Sequence, residues 1–501
     1  MDTTLRDGEQ TPNVAYVPAE KLQLARLLLR DVKVDRIEIA SARVSEGEAQ
    51  AVQRVASWAR KARLHDRVEI LGFADGKASV DWIVTMGGGV MNLLTKGSRR
   101  HCEEQLRKAP ERHFKEIAET LHYAHKCGLA ANVYLEDWSS GVRDSFDYVF
   151  GHVQNLASLG VKRIFLADTL GILAPQDTAR YVGLMTSTWP DLHFEFHGHN
   201  DYGLANANCL AAIEAGALGI HTSVNGMGER AGNTRLAEIA ACIHDLTGAH
   251  TRIDERKLTT VSEMVAAFSG KAIADNSPVI GRDVFTQTAG IHADGDWKAE
   301  LYANKLLPRR FGRRRHYALG KMAGKASLDQ NLKMLGIKLQ PENRDLVLER
   351  IVELGDKKHT VTIADLPLII ADVLKTPEKQ LLRVESWDIH STSGALPEAT
   401  VSLSYQGKVA SGKANGDGGY DAFMKALAKA GRSFELKLPQ LVDYQVRIPP
   451  GGKTGALVET LITWQRSARS APFTTLGVDS DQLAAAVIAS EKMLNLVVQQ
   501  S

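Results

Sequence analysis

The 501-residue chain has only four cysteines, Cys102, Cys127, Cys209 and Cys242, and no two of them are close. That excludes a disulfide frame or a zinc knuckle and points to reduced thiols in a cytoplasmic protein. No apolar run approaches the roughly 18 residues of a bilayer span, so no membrane partner is expected. The first residues are polar and mixed, without the apolar core of a secretory signal. A net charge of +2 leaves no electrostatic footprint for nucleic acid. No glycine-rich dinucleotide turn follows the first strand-like run, which weakens a doubly wound sheet as a reading.

The length suggests about two to four domains. Eight short β-rich runs end in polar residues: "DTTLRD", "RIEIAS", "VEILGFAD", "VMNLLTK", "ANVYLED", "RIFLADT", "HFEFHGHN" and "GIHTSVNG". Helical patterns such as "AEKLQLARLLLRDV" separate them, at roughly the thirty-residue spacing of a βα unit. Eight units in about 250 residues predict an α/β fold, a (β/α)8 TIM barrel. The first run is short, about four residues where a strand usually has about five, which leaves room for residues upstream of Met1.

Residues 1–265 are read as the barrel and 266–325 as a loop-like linker subdomain. Residues 326–379 are read as a helical subdomain of three short helices. Residues 380–501 are read as a separate α+β domain of two strand-strand-strand-helix halves.

Active sites of such barrels lie at the C-terminal ends of the strands. There the sequence puts Arg6 and Asp7, Asp75, Lys96, Glu136 and Asp137, Asp168 and Thr169, His197 and His199, and Asn225. Polar loops alone would give some of these. Residues i and i+2 of a strand share a face, so His197 and His199 project together. Two imidazoles and one oxygen ligand suit a divalent metal; a hydrogen-bonded polar pair is the plainer alternative. In a closed barrel the first strand lies two places from the seventh, which makes Asp7 the natural third ligand. Beside a metal, Arg6 suits polarisation of a carbonyl oxygen. The alternative for Arg6 is an ion pair with Asp7 or Glu9.

The stretches "DTTLRDGEQ", "HFEFHGHNDYGLA" and "NGMGERAGNT", with "GDGGYDAF" near the C-terminus, resemble the metal-dependent Claisen-condensing synthases of 2-isopropylmalate, homocitrate and citramalate. "VYLEDWSSG", "DVFTQTAGIHADGD" and "YQVRIPPGGKTGALVETLITW" narrow the resemblance to the citramalate group. The resemblance implies condensation of acetyl-CoA with pyruvate and water to (R)-citramalate and CoA, on the pyruvate route to isoleucine. It implies a divalent metal (zinc, manganese or magnesium) on Asp7, His197, His199 and Asn233. Arg6 matches the residue that polarises the keto group, and Thr169 the one that holds the keto-acid carboxylate. Glu136 and His292 match acid/base positions, the histidine being donated across a homodimer; as a lone residue, His292 reads more readily as a satisfied loop histidine. Asp294 and Tyr302 match positions that orient that histidine or the CoA.

Leu71, Leu94 and Tyr134 match a pocket wall with room for a methyl and not an isopropyl, although leucines in strands are usually plain core. Phe73 is placed against the pantetheine arm or adenine of CoA. The run "RRFGRRR" (Arg309, Arg310, Arg313, Arg314, Arg315) reads better as a solvated segment or interface than as a CoA-phosphate site. For the C-terminal domain the resemblance implies an isoleucine effector site, with Tyr420, Asp421, Leu441, Tyr444, Ile448 and Val458 as candidates. Three alternatives stand beside this reading. They are a 2-isopropylmalate synthase using 2-ketoisovalerate, a retro-Claisen lyase, and a non-catalytic branched-chain amino-acid binding protein.

Overall fold

A computed structural model describes residues 1–299, 301–356, 361–374, 382–447, 458–467, 470 and 472–499. The chain folds as two compact units. One is Met1–Phe285 with Asn304–Arg314; the other is Thr286–Ala303 with Arg315–Ser501.

The first unit is built on seven parallel strands in sequential order. They are β1 (Ile37–Ser41), β2 (Val68–Phe73), β3 (Val90–Lys96), β4 (Ala130–Glu136), β5 (Arg163–Asp168), β6 (His193–Gly198) and β7 (Gly219–Ile220). Their middles are buried on both faces, as parallel strands under helices must be. The N-terminus closes the ring: Asp2 bridges in parallel to Ile37 on one side and to Thr222 on the other. Thr3 N donates to Thr222 O at 2.7 Å, and Glu38 N to Asp2 O at 2.9 Å. The outer helices turn small and branched faces inward. In Glu46–Ala62, for example, Ser45 caps the first turn by accepting from Glu48 N, and Val52, Val55 and Ala59 are buried.

The first expected strand is shorter than "DTTLRD". Asp2 Oδ1 accepts from Thr4 N at 3.0 Å, and Arg6 N and Gly8 N both return to Thr3 O. The aspartate side chain thus turns the chain out of the ladder after one bridge. Asp7 therefore stands at the start of a single 3-10 turn, Gly8–Gln10, rather than ending a strand.

In the second unit, β8 (Thr286–Gln287) pairs in parallel with β9 (His316–Tyr317). "GIHADGDWKA", read as loop, is a helix over Gly290–Ala299. Its glycines and aspartates argue against helix by propensity. Tertiary contacts decide otherwise: buried Asp296 takes an ion pair from Arg315 and the Tyr317 hydroxyl at 3.2 Å. Helices Lys325–Leu335, Pro341–Asp356 and Leu366–Leu374 follow, around Leu328, Leu332, Val347, Ile351 and Leu366.

The C-terminal part holds two antiparallel sheets, each in sequential strand order. β10 (Arg383–His390), β11 (Glu398–Tyr405) and β12 (Lys408–Asn415) lead into helix Gly419–Gly431. β13 (Gln440–Arg447), β14 (Val458–Gln465) and β15 (Phe473–Asp479) lead into helix Gln482–Gln499. Both halves use the same device for helix approach. A Cβ at Gly412 of β12 would stand 2.2 Å from Ala426 O, and one at Gly477 of β15 would stand 1.8 Å from Ala485 O. Only glycine lets each third strand touch its helix backbone, a repeat signal stronger than the sequence similarity between the halves.

Among the described residues, no helix is long and apolar enough to cross a membrane.

Candidate active site

The barrel mouth collects a carboxylate and two imidazoles. His197 sits on β6, and His199 lies just beyond it, where its backbone bridges to Asn233. Asp7 Oδ2 is 3.1 Å from His197 Nε2 and 3.9 Å from His199 Nε2, and the two Nε2 atoms are 3.3 Å apart. All three side chains are buried. Among the described residues this is the one set of three or more His, Cys, Asp or Glu whose ligand atoms lie within 4.8 Å of one another. Three lone-pair donors pointed at one spot are hard to satisfy by hydrogen bonds alone, and both Nδ1 atoms are buried without a partner.

The electrostatics suit a cation. Burial would raise the Asp7 pKa, but Arg6 and the two histidines hold it well below the usual carboxylate range. Burial pulls His199 down to about 4 against the opposing pull of Asp7. A neutral imidazole beside an ionised carboxylate is what a divalent ion needs. Asn233 offers a candidate fourth ligand atom, an oxygen: its Nδ2 donates to Met227 O at 2.9 Å, while its Oδ1 is buried without a partner. The donor set therefore fits a divalent metal.

The loop carrying Asn233 depends on Gly232, whose φ is +82° and where a Cβ would stand 1.8 Å from Gly226 O. Gly232→Ala is expected to cost more than the roughly 1 kcal/mol of a left-handed alanine. It should lower the melting temperature and weaken metal uptake together, read by calorimetry with and without Mn²⁺. Unchanged metal uptake would detach Asn233 from the site.

Arg6 turns toward the same mouth. Its Nε donates to Glu38 Oε2 at 2.6 Å, one Nη lies 3.5 Å from the Tyr134 hydroxyl, and the other is 3.7 Å from Asp7. Burial works against its charge, but Glu38 and Asp7 outweigh that and raise its pKa. Glu38, wholly buried on β1, also accepts from Asn92 Nδ2 at 2.7 Å, and Asn92 Oδ1 accepts from Asn132 at 2.9 Å. Tyr134 is more than a wall, since its hydroxyl also lies 3.1 Å from His221 Nδ1, and His221 Nε2 is 3.0 Å from Glu195.

Leu71, Tyr134 and Phe165 form one apolar cluster inside the barrel, with Phe73, Leu94 and Met1 against it. The pairing of Phe73 with Leu94, and of Leu94 with Tyr134, sets these side chains in neighbouring positions. Thr169 is half-buried at the end of β5; its Oγ1 accepts from Asp137 N at 2.8 Å, which leaves the hydroxyl proton to donate. Asp137 takes a left-handed backbone (φ +62°) at the end of β4 to make that contact. Glu136 is paired with Lys96 from β3.

Other polar strand ends serve the fold. Asp75 caps Ser79, the Asp168 carboxylate accepts from Ile172 N and Leu173 N, and Asn225 donates to Ser262 O. The basic run is largely structural too. Arg310 pairs with Asp245 and Glu255, Arg313 donates to the carbonyls of Gly281 and Arg282, and Arg315 holds Asp296.

His292, Asp294 and Tyr302 belong to the second unit. The exposed His292 ring lies 4.3 Å from that of Tyr302, and Asp294 pairs with Lys298 at 2.7 Å. In the C-terminal part, the Tyr420 and Tyr444 rings are 5.0 Å apart, and the Tyr420 hydroxyl is 2.7 Å from Ser490 Oγ. Val458 is buried on β14. Asp421 faces solvent and pairs with Lys425, and Leu441 is exposed. Ile448 lies outside the described residues.

Sequence reasoning missed Glu38, Asn92 and His221 as site residues. Each stands at an alternate position of its run, which in sequence reads as the solvent side of a half-exposed strand; only closure of the barrel makes it interior.

The family described as HMGL-like matches residues 1–265, more than half of the chain. The chain belongs to the HMGL-like family. Residues 279–359 match the homocitrate synthase post-HMGL domain-like family, and residues 360–498 the LeuA allosteric (dimerisation) domain. The (R)-citramalate synthase CimA assigned provisionally in Methanopyrus kandleri is 33% identical over 453 residues, 90% of this chain and 87% of that protein. The (R)-citramalate synthase CimA of Methanocaldococcus jannaschii is 30% identical over 501 residues, 99% of each chain. The 2-isopropylmalate synthase of the same organism is 30% identical over 506 residues, 99% of this chain and 94% of that protein. This HMGL-like chain is thus an acyltransferase of the type that condenses acetyl-CoA with a keto acid.

Proposed function

We propose that the chain condenses acetyl-CoA with pyruvate and water to (R)-citramalate and CoA, feeding isoleucine synthesis, and that isoleucine inhibits it. The observation that carries the choice of keto acid is the apolar cluster of Leu71, Leu94 and Tyr134 beside Arg6. Bulky groups there leave room for a methyl. The full-length similarity to citramalate synthases supports the same choice.

A divalent ion (zinc, manganese or magnesium) on Asp7, His197, His199 and Asn233 supplies Lewis-acid polarisation of the keto acid's C=O when bound. Arg6, fixed by Glu38 and Tyr134, donates an N–H to the keto oxygen as negative charge develops there. Thr169 Oγ1 donates to the keto-acid carboxylate. His292, supplied across a homodimer and packed against Tyr302, takes the methyl proton of acetyl-CoA. The methyl carbon then bonds to C2 of pyruvate. Glu136 manages protons, through its contact with Lys96, as the keto oxygen becomes a hydroxyl. Water finally cleaves the thioester, and CoA leaves as the thiol. Phe73 and Asp294 lie on the CoA side. In this reading isoleucine binds the C-terminal domain beside Tyr420, Tyr444 and Val458, as a coupling between two sites; the match to the LeuA allosteric (dimerisation) domain supports it.

The test is thiol release from acetyl-CoA with pyruvate, 2-ketobutyrate and 2-ketoisovalerate, each with and without isoleucine. Pyruvate should give the highest kcat/KM. Leu71→Ala should close the gap to 2-ketobutyrate, since a methylene in such a pocket is worth about 1–3 kcal/mol. A preference for 2-ketoisovalerate would instead favour 2-isopropylmalate synthesis. Deleting residues 380–501 should abolish inhibition by isoleucine, and inhibition that persists refutes the assignment of the effector site.

A further inference from the structure

Lys21 lies in helix Pro18–Arg26 with no exposed surface. Lysine is almost never fully buried unless it is paired. Its ammonium meets four oxygens: the Leu5 carbonyl at 2.9 Å, the Ile39 carbonyl at 3.1 Å, Glu9 Oε2 at 2.6 Å, and the Glu48 carboxylate. An ammonium has only three protons, so its bonding capacity is full.

The partners have a pattern. Leu5 immediately precedes Arg6, and Ile39 immediately follows Glu38. The two carbonyls therefore bracket the Arg6–Glu38 ion pair from the backbone side. Glu9, just past Asp7, also accepts from Tyr16 N at 2.7 Å, so the far end of the same loop is held as well. One cation thus ties both ends of the Leu5–Glu9 loop to β1 and, through Glu48, to helix Glu46–Ala62. Lys21 cannot reach a substrate, and no step above uses it.

We propose that Lys21 is a positioning residue that locks the Leu5–Glu9 loop, setting Asp7 against His197 and His199 and Arg6 against Glu38. This rests on the metal reading of that cluster. It is tested by titrating Mn²⁺ into metal-stripped full-length wild type, Lys21→Arg, Lys21→Met and Lys21→Met/Glu48→Leu, with a thermal melt of each. Wild type should take up one ion per chain. The variants should bind it about 10–100-fold more weakly, the usual effect of losing a group that orients a ligand. Their kcat should fall while KM for acetyl-CoA stays unchanged. The double variant removes the ammonium and the Glu48 carboxylate; Glu9 remains, partly exposed and still accepting from Tyr16 N, and apolar replacement of a buried pair is often neutral for stability. A restored melt with weak Mn²⁺ binding therefore separates positioning from folding.

A folded variant that binds Mn²⁺ as tightly as wild type overturns the proposal, as does a double variant that regains affinity along with its melt. Failure of every variant to fold overturns it too, by making Lys21 a residue of the core rather than of the loop. Wild type that takes up no ion overturns the metal reading first and this one with it.

Discussion

His197→Ala is expected to lower kcat/KM for the keto acid by about a thousandfold, because Lewis-acid stabilisation is worth several kcal/mol and each 1.4 kcal/mol is a decade. The variant keeps Asp7, His199 and Asn233 but loses one of its two imidazoles, the one nearest Asp7 at 3.1 Å, while His199 Nε2 is 3.9 Å from the same carboxylate oxygen. Wild type should gain about 2.7 kcal/mol of stability at a hundred times the Kd of its metal. The variant should gain almost none, which a thermal melt with and without Mn²⁺ reads directly. Chelator treatment of wild type should remove turnover, and Mn²⁺ or Zn²⁺ should restore it. Such a response cannot come from cofactor-free acid/base chemistry on His292 and Glu136. A His197→Ala enzyme with wild-type turnover, or a wild type indifferent to chelator, ends the metal account.

This cluster was legible because its physics is local in sequence. Residues two apart on a strand must share a face, and a closed eight-stranded barrel brings its first strand near its seventh and eighth. The three side chains meet even though the first strand is almost absent. Asp7 reaches the site from a turn made by the Asp2 side chain, a local hydrogen bond that no periodicity reports. Polar groups inside the barrel were the harder case. Glu38, Glu69 and Glu195 sit in β1, β2 and β6, and in sequence they look like the ordinary alternation of a half-exposed strand. Only closure makes them interior, and then each needs a partner: Arg6, Arg36 and His221 supply them. The helix over Gly290–Ala299 failed for the converse reason. Its own residues disfavour helix, and Arg315 and Tyr317, far along the chain, overrule them.

Arg6→Met is expected to carry the second large effect, and it splits into two separable parts. Loss of one preorganised donor to a developing oxyanion costs about 100- to 1,000-fold in kcat. The same change strands the Glu38 carboxylate, which has no exposed surface and keeps only Asn92 Nδ2 at 2.7 Å and the Tyr134 hydroxyl at 3.4 Å. An uncompensated buried charge of this kind destabilises by about 3–5 kcal/mol. Arg6→Met/Glu38→Gln removes the charge as well as its partner, and the amide can still meet Asn92 and Tyr134. The double variant should therefore recover most of the melting temperature and none of the turnover. Arg6→Lys should also fail in turnover, because a compact ammonium cannot reach Glu38, Tyr134 and the keto oxygen at once as a guanidinium fork can. If Arg6→Lys turned over normally, or if Glu38→Gln restored kcat together with stability, Arg6 would be a structural counter-ion for Glu38. Polarisation of the keto group would then fall to the metal alone.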